Sequence, residues 1–557
     1  MKNLSVRSLL IFMMVTTSVC FSAAKEKYWL FFKDKGQVLA KSSLQQLEDE
    51  LDERAKWRRA KVAGAPLVDA TDLPVYQPYI DAVIKRGFTI IVSSKWLNAV
   101  SVRATTDEAR DLATLACIRE VKRVGSGKRK PIIDEPKELA KPLGATANGS
   151  YDYGPSITQN EQIGVPDVHS AGITGDGVLV AVLDAGFNLD NEAFSTIDIV
   201  AMHDFINDDD NVDNEPGDAA NQNSHGTQVL SVIGGFAPGK LIGPAFGASF
   251  LLAKTEDVSS ETEIEEDYWI AAAEWAEARG ADIITTSLGY YDWYDYSDMN
   301  GQTALITIAA DIAVKKGIVV VTSAGNEGDN SWRYIGAPAD GFDVIAVGAV
   351  NSTGTIAGFS SRGPTSDGRI KPEVVALGVS CTVAYAGGGF GSANGTSFSC
   401  PLVAGAAALI LSAHPHLTPK QVRQALIQTA AQVTQPDNTY GFGLINALDA
   451  ANYHGNISDP ADATELVSLY PNPYSYSDHG VLFFIVDLLE TSHIRVDLYN
   501  ALGQSHGAII QTTAPAGKNR PLRWNGATAA GRVPSGVYFY RLQIGEYRKT
   551  GKITLLH

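Results

Sequence analysis

Cysteine is scarce in this chain of 557 residues, which holds four cysteines, at positions 20, 117, 381 and 400. Small exported proteins that depend on disulfides carry a far higher proportion of cysteine, so the chain is not a disulfide scaffold. Cys381 and Cys400 would be able to pair. We favour two separate buried thiols, because free cysteine is among the most commonly buried residue types.

Long apolar runs are also missing. Beyond the first 24 residues no stretch of about 20 consecutive apolar residues occurs, so we predict no transmembrane span. Residues 1–24 have a basic start (Lys2, Arg7), a short apolar centre and a small-residue end. This pattern is typical of a Sec signal peptide, and its apolar centre is too short for a membrane anchor. The chain is therefore predicted to be secreted or displayed at the cell surface.

Positive charge is in deficit, with 45 Lys and Arg against 62 Asp and Glu, a net charge of −17. The deficit is uneven: residues 25–148 hold 23 basic and 17 acidic residues, residues 149–455 hold 11 and 37, and residues 456–557 hold 9 and 8. So acidic a central segment argues against nucleic-acid binding. A basic segment beside it predicts that the two associate.

Strand and helix signals alternate through residues 149–455, which predicts an α/β domain with a doubly wound parallel sheet. The apolar run from Val178 ends in Asp184, so this carboxylate is expected at the carboxyl end of a buried strand, where such sheets bind ligands. Ser224-His225-Gly226-Thr227 precedes another apolar stretch and predicts a helix that begins near His225.

The segment GSANGTSFSCPLVAGAAALILSA, residues 391–413, is a glycine-bearing loop that leads into an almost wholly apolar stretch. A helix that is apolar on all sides is a buried helix. Ser397 would lie at its N-terminus, where free backbone N–H groups favour a developing anion. An ordinary helix-capping role for this serine is the alternative.

Three of these segments occur in the order Asp184, His225, Ser397, which is the order of a subtilisin catalytic triad. Asp184-Ala-Gly, His225-Gly-Thr and Gly395-Thr-Ser-Phe-Ser-Cys-Pro401 resemble the signature segments of the subtilisin-like serine peptidases. Ser323-Ala-Gly-Asn-Glu-Gly328 resembles the segment with the oxyanion asparagine of that family, here Asn326. The resemblance covers roughly residues 154–453 and implies a subtilisin-like fold.

The family resemblance implies catalytic roles for Asp184, His225, Ser397 and Asn326. It also implies two substrate-binding segments. The first is an edge that pairs with the substrate backbone, formed by Ser287, Leu288 and Gly289. The second is a wall of the first specificity pocket, formed by Ser323, Ala324 and Gly325. Asp184 is followed by Ala185, where most relatives carry Thr or Ser, and we expect little loss from this change. An aromatic segment at 290–296 is expected to pack beside the cleft, although an extended hydrophobic pocket is the alternative.

No cofactor is expected for the chemistry, but a structural calcium ion is possible. An acidic run offers hard oxygen ligands without the spacing of an EF-hand. An acidic solvated loop is an equal or better interpretation of this run, which comprises Asp204, Asp208, Asp209, Asp210, Asp213 and Asn214.

Residues 25–148 read as a small α+β domain, with a strand at 28–32 and a charged helix at 43–61. The phrase from Trp96 to Val102 resembles the subtilase propeptide, which implies an intramolecular partner that assists folding and inhibits the cleft. An independent adaptor domain is the alternative. The stretch from 128 to 151 reads as a linker in which cleavage is expected.

After a second linker at 456–465, residues 466–557 consist of short β runs separated by turn signals, which predicts an immunoglobulin-like β-sandwich. Tyr470-Pro-Asn-Pro473 and Gly536-Val-Tyr-Phe-Tyr540 resemble the C-terminal sorting domain of type IX secretion cargo. That resemblance implies outer-membrane secretion machinery as a partner. A spacer module is the alternative.

These features together predict a secreted serine endopeptidase that processes its own precursor and acts on protein or peptide substrates. A surface-displayed binding protein with a catalytically silent peptidase fold is the alternative, although all four catalytic positions are intact. A third possibility, a serine hydrolase that is not a peptidase, is disfavoured because no Gly-x-Ser-x-Gly surrounds Ser397 and the Asp–His–Ser order is wrong for an α/β-hydrolase.

Overall fold

The computed structural model describes residues 25–36, 41–62, 66–125, 151–259, 262–453, 463–470, 472–475, 482–514, 516–528 and 531–556. The predicted signal peptide at 1–24, most of the linker at 128–151 and most of the linker at 456–465 lie outside these residues.

The N-terminal region folds as an antiparallel sheet with helices, in the strand order β2-β3-β1-β4. The predicted single helix at 43–61 is wrong, because the carboxylate of Asp52 accepts from the N–H groups of Arg54 and Ala55 and so starts a second helix. The elements are β1 (Glu26–Phe32), α1 (Lys41–Glu50), α2 (Glu53–Ala60), α3 (Gln77–Ile84), β2 (Ser93–Ser94), β3 (Ala99–Ala104), α4 (Thr106–Leu112) and β4 (Ile118–Arg123).

A parallel seven-stranded sheet forms the centre of the molecule, which confirms the predicted doubly wound sheet. Its strands are β5 (Leu179–Asp184), β6 (Asp198–Asp204), β9 (Ser249–Lys254), β10 (Ile283–Thr286), β11 (Val319–Ser323), β12 (Ile345–Val350) and β13 (Val374–Leu377), in the order β13-β12-β11-β10-β5-β9-β6. Two small antiparallel pairs lie outside it, namely β7 (Phe236–Ala237) with β8 (Leu241–Ile242), and β14 (Cys381–Ala384) with β15 (Phe390–Ala393).

Helices cover both faces of this sheet because successive strand residues point to opposite sides. On β5, Val180 and Val182 join one apolar core, whereas Leu179, Ala181 and Leu183 join the other. The helices are α5 (Ile157–Glu161), α6 (Val165–Ser170), α7 (Ser224–Gly234), α8 (Ile264–Ala278), α9 (Leu305–Lys315), α10 (Thr396–Ala413), α11 (Pro419–Gln428) and α12 (Ala447–Asn452).

Helix α10 is the predicted buried helix, and all of its 18 residues are buried. It is long and apolar enough to cross a membrane, but it lies wholly inside the fold against the central sheet. Cys400 on this helix and Cys381 on β14 are separate buried thiols, as predicted. Burial raises the pKa of the Cys400 thiol to about 12, so it remains a neutral packing group.

The N-terminal sheet packs on α8 and α9, with Trp29 and Phe31 of β1 and Trp96 in the same apolar core as Trp269 of α8. The predicted charge complementarity appears at this contact as buried ion pairs. Lys27 Nζ lies 2.7 Å from Asp267 Oδ1, and both side chains are fully buried. Arg58 and Arg59 both contact Glu277 of α8.

The C-terminal strands form two main sheets around one apolar core, in the orders β16-β18-β21 and β17-β25-β24-β19-β20, and β22 and β23 form a short separate pair. Arg523 joins this β-sandwich to the central domain through an ion pair of 2.7 Å with Asp176. The strands are β16 (Glu465–Tyr470), β17 (Tyr474–Ser475), β18 (Leu482–Leu488), β19 (Ser492–Asn500), β20 (Ser505–Ala514), β21 (Gly517–Trp524), β22 (Ala527–Thr528), β23 (Gly531–Arg532), β24 (Gly536–Ile544) and β25 (Tyr547–Leu556).

Candidate active site

A cleft lies at the carboxyl ends of three neighbouring strands. Asp184 ends β5, Ser287 follows β10, and Ser323 ends β11. The N-termini of α7 and α10 approach the same edge and bring His225 and Ser397 to it. This is the edge at which open α/β sheets bind their ligands.

Asp184 and His225 are joined by a hydrogen bond. His225 Nδ1 lies 2.7 Å from Asp184 Oδ1, and the Asp184 side chain is fully buried while that of His225 is 33% exposed. The backbone N–H of Ala185 also donates to Asp184 Oδ1, at 2.8 Å. A carboxylate held in this way fixes the orientation of the imidazole, so that its other nitrogen is available to the cleft.

Ser397 lies in the first turn of α10 and borders the same cleft as His225. Its hydroxyl donates to the Ser287 carbonyl oxygen at 3.3 Å, rather than to the imidazole. The ring centroid of the next residue, Phe398, is 6.1 Å from that of His225. Hydrogen bonds between catalytic groups are commonly loose in a free enzyme and tighten only around the substrate.

Asn326 is oriented by Thr396, the residue before Ser397. Its Oδ1 accepts from both the Thr396 backbone N–H and the Thr396 hydroxyl, each at 2.9 Å. The amide of Asn326 is thereby held with its oxygen engaged, which leaves the Nδ2 donor for another acceptor. Gly395 lies beside this amide at φ +143°, a conformation that favours glycine.

Five of the six predicted substrate-binding residues line the cleft, namely Ser287, Leu288, Gly289, Ser323 and Gly325. Ala324 is the exception. Its side chain is fully buried and packs with Ile335, Ala339 and Ala346, behind the cleft wall. Gly325 has φ +104°, and a Cβ there would lie 2.9 Å from the Ser361 hydroxyl. This position therefore requires glycine.

The aromatic segment at 290–296 packs beside the cleft, as predicted. Tyr290 is buried and stacks on Trp293, with 5.5 Å between ring centroids. Tyr294 donates to Glu266 of α8 at 2.9 Å, and burial is the main reason that the pKa of Glu266 rises to about 7. Tyr291 lines the cleft and stacks on Trp332 at 5.4 Å.

Sequence analysis missed three residues at this site. Thr396 is one of them, and its hydroxyl orients Asn326. Glu256 lines the cleft two residues after the end of β9, a strand-end position like that of Asp184. Gln222 is buried and donates to the backbone oxygens of Ala185 and Glu256, which ties the two strand-end loops together. Position relative to a strand end was the one available signal, and it would have pointed to Glu256.

The acidic run after β6 surrounds a lysine. Carboxylate oxygens of Asp204, Asp209 and Glu215 lie within 4.8 Å of one another, close enough to share a metal ion. However, the buried Lys254 ammonium lies 2.8 Å from Asp204 Oδ2 and also 2.8 Å from Asp218 Oδ2. A calcium ion at this cluster would compete with a cation that the chain itself supplies, so these residues fit the lysine better than calcium.

The electrostatics of the site favour a protonated imidazole at neutral pH. Burial alone would lower the pKa of His225, but the charge of Asp184 and the hydrogen bond to it outweigh burial and raise the pKa to about 9. Glu256 contributes in the same direction. Once the imidazole has lost this proton it can act as a base, and a base beside a hydroxyl and an amide donor is suited to acyl transfer.

Comparison with known families identifies two segments of the chain. Residues 175–443 match the Subtilase family of S8 peptidases. This match includes Asp184, His225, Asn326 and Ser397. Residues 27–136 match the S8 propeptide domain of Bacteroidota, which spans the N-terminal sheet and its helices.

Individual relatives are similar over the same central region. Subtilisin E of Bacillus subtilis (strain 168) is 37% identical over 305 residues, which are 54% of this chain and 73% of that protein. The subtilisin of Bacillus pumilus is 38% identical over 292 residues, 52% of this chain and 96% of the relative. Among solved structures, the self-cleaved protease domain of PatA aligns with a TM-score of 0.42 and 27% identity, over 51% of this chain and 100% of that one.

Proposed function

Since the chain belongs to the subtilase family and is a serine endopeptidase with a propeptide, we propose that it cleaves proteins or peptides through an acyl-enzyme on Ser397. The observation that carries this proposal is the 2.7 Å hydrogen bond between His225 and Asp184 in the cleft that Ser397 borders. His225 accepts the Ser397 proton during attack and passes it to the leaving amine. Asp184 holds the imidazole tautomer and stabilises its cation.

The negative charge that develops on the attacked carbonyl oxygen needs donors in place beforehand. We assign this role to the Asn326 side-chain amide and the Ser397 backbone N–H. The assignment is supported by Thr396, which occupies the Asn326 oxygen and leaves its NH2 group for the substrate. The N-terminus of α10 adds a favourable dipole at the same place.

Labelling with a fluorophosphonate probe tests this function against the silent binding protein. Such a probe reacts only with an activated serine. We expect covalent labelling at Ser397, identified by peptide mass spectrometry, and competition from a casein substrate. An unlabelled, correctly folded mature chain would favour the silent alternative.

The His225 pKa gives opposite pH dependences for activity and stability. Because catalysis needs the neutral imidazole, kcat/KM should rise with pH along a limb centred near pH 9. The pKa of His225 is raised on folding, so its stabilising pair with Asp184 is fully present below pH 6.5 and is lost as pH rises through about 9. Initial rates and urea midpoints measured across pH 6–10 check both trends. An activity limb centred at or below pH 6.5 would contradict them.

The propeptide is a partner of the peptidase domain within the same chain. We propose that Arg58, a buried residue of the propeptide, holds the propeptide on α8. Arg58 contacts Glu277 and donates to the carbonyl oxygens of Ala281 and Lys316, at 2.7 and 3.1 Å. Although burial would raise the pKa of Glu277, Arg58 and Arg59 hold it below its ordinary value. Arg58→Met should cost about 3 kcal/mol, because these buried acceptors lose their donor.

This loss is measured as the urea midpoint of the full chain carrying Ser397→Ala, in which the propeptide stays attached. Arg110→Met is the matched control, since the side chains of Arg110 and its partner Asp107 are 75% and 89% exposed. Exposed pairs of this kind contribute little to stability. Equal midpoints for the two variants would show that the buried contact does not hold the propeptide.

For the chain as a whole, we propose a signal peptide at 1–24, a propeptide at 25–148 that is removed by self-cleavage, a peptidase domain at 149–455 and a sorting domain at 466–557. Export and recognition of the β-sandwich by outer-membrane secretion machinery belong to this proposal. The support is the sequence pattern at 1–24 and the resemblance of the C-terminal motifs. We assign no residues to a structural calcium ion.

A further inference from the structure

The charged side chains that line the cleft are acidic. Three carboxylates line it, those of Glu256, Glu327 and Asp329, while no lysine or arginine is among its lining residues in the described part of the chain. Glu327 accepts a hydrogen bond from Asn330, so part of its hydrogen-bonding capacity is already used. Glu256 is half-buried and has no hydrogen bond or ion pair to its carboxylate among the described residues.

Glu256 is held in a fixed place. The backbone of Thr255 donates to the Asp184 carbonyl oxygen at 2.9 Å, which continues the pairing of β9 with β5. Gln222 then contacts the Glu256 carbonyl oxygen and accepts from the Val258 N–H at 3.1 Å. A carboxylate on such a constrained loop loses little further freedom when it binds a partner, so its position is prepared for recognition.

The sheet order fixes the side of the cleft to which Glu256 belongs. In the order β11-β10-β5-β9, Ser323 at the end of β11 and Glu256 after β9 lie on opposite sides of Ser287, which follows β10. A substrate strand paired along 287–289 alternates its side chains between the two sides. If the residue that supplies the attacked carbonyl points to the Ser323 side, the residue before it points to the side of His225 and Glu256.

We propose that Glu256 selects substrates with lysine or arginine immediately before the residue whose carbonyl is attacked. The inference rests on the proposed peptidase function and names the substrate class of that site. A cationic side chain there would make a charge-assisted hydrogen bond to a carboxylate that has no hydrogen-bond partner among the described residues. A hydrogen bond to a charged group corresponds to a preference of about 10-fold or more over an uncharged residue of similar length.

The selectivity should depend on pH. Burial, and after it the charge of Asp184, raise the pKa of Glu256 to about 7, with Asp257 acting in the same direction and His225 against it. The carboxylate is therefore increasingly ionised above neutral pH, and preference for a cation should grow as pH rises from 6 to 9. Added salt should weaken this preference, because the half-buried carboxylate is still partly exposed to solvent.

Two peptides test the proposal with purified mature enzyme. They are identical except for lysine or norleucine before the cleaved residue, and kcat/KM is measured for each at pH 9 and low salt. The wild-type enzyme should prefer lysine by about 10-fold, and Glu256→Gln should bring the ratio close to one. Glu256→Gln should also move the acid limb of the activity profile to lower pH, since Glu256 helps to raise the His225 pKa.

Asp257→Asn is the matched control. It removes a neighbouring negative charge whose carboxylate accepts from the Ser259 N–H and which is not a lining residue of the cleft. The lysine preference should survive in this variant. If Glu256→Gln does not fold, the growth of the wild-type preference between pH 6 and pH 9 decides the question.

Equal cleavage of both peptides by wild-type enzyme, or a lysine preference that persists in Glu256→Gln, would overturn the assignment of Glu256 while leaving the peptidase function intact. Cleavage of neither peptide by an enzyme that also fails to degrade casein would overturn the proposed function, and this inference with it.

Discussion

Ser397→Ala is expected to yield a full-length precursor without peptidase activity. The alanine removes the attacking oxygen while α10 keeps its buried packing, so the variant should fold. Removal of the nucleophile in a subtilisin lowers kcat by about 10⁶-fold, and we expect a loss of that size here. Casein hydrolysis and the mass of the purified chain measure the two effects.

Ser412→Ala is the control on the same helix. Ser412 lies near the far end of α10 and donates to the Asp176 carbonyl oxygen at 2.9 Å, away from the cleft. It should mature and degrade casein at the rate of the wild-type enzyme. A Ser397→Ala chain that matures unaided and still degrades casein would show that another residue is the nucleophile.

Asn326→Leu should lower kcat by roughly 100- to 1000-fold with little change in KM, the range measured for the oxyanion asparagine of a subtilisin. The amide stabilises the charge that exists only in the transition state, so its loss affects turnover more than binding. Steady-state kinetics with one peptide substrate separate the two parameters. A raised KM with an unchanged kcat would indicate that Asn326 only binds substrate.

Thr396→Val provides a graded comparison for this prediction. The valine removes the hydroxyl bond to Asn326 Oδ1 but keeps the bond from the backbone N–H. The amide then has one anchor rather than two, so kcat should fall by less than in Asn326→Leu. Asn351→Ala, in an exposed turn, should leave kcat unchanged.

The sequence was most informative where a local run of apolar residues determines a buried strand or helix. The apolar run ending in Asp184 predicted a buried strand with a carboxylate at its end, and β5 ends at that residue. The segment at 391–413 predicted a buried helix because its apolar part has no polar face, and α10 spans Thr396–Ala413. These inferences need only local periodicity and the geometry of parallel sheets.

Contacts between distant segments were harder to predict. That the Thr396 hydroxyl orients Asn326 depends on two segments 70 residues apart in the chain, and no local pattern encodes their contact. The sequence left two interpretations of the acidic run, a calcium site and a solvated loop. Neither interpretation included Lys254, which comes from another strand. Ala324 shows that a sequence motif does not determine the direction of each side chain. Its neighbours line the cleft, while its own side chain packs behind the cleft wall.

The acidic face of α8 has a consequence for the enzyme after maturation. The carboxylates of Asp267, Glu274 and Glu277 each contact a residue of the N-terminal region, namely Lys27, Ser94 and Arg58 in that order. Departure of residues 25–148 removes a segment with six more positive than negative side chains and exposes these carboxylates to water. The released enzyme becomes a more strongly anionic particle than its precursor, so it should elute later from an anion-exchange column. Recapture of the freed segment should weaken as ionic strength increases.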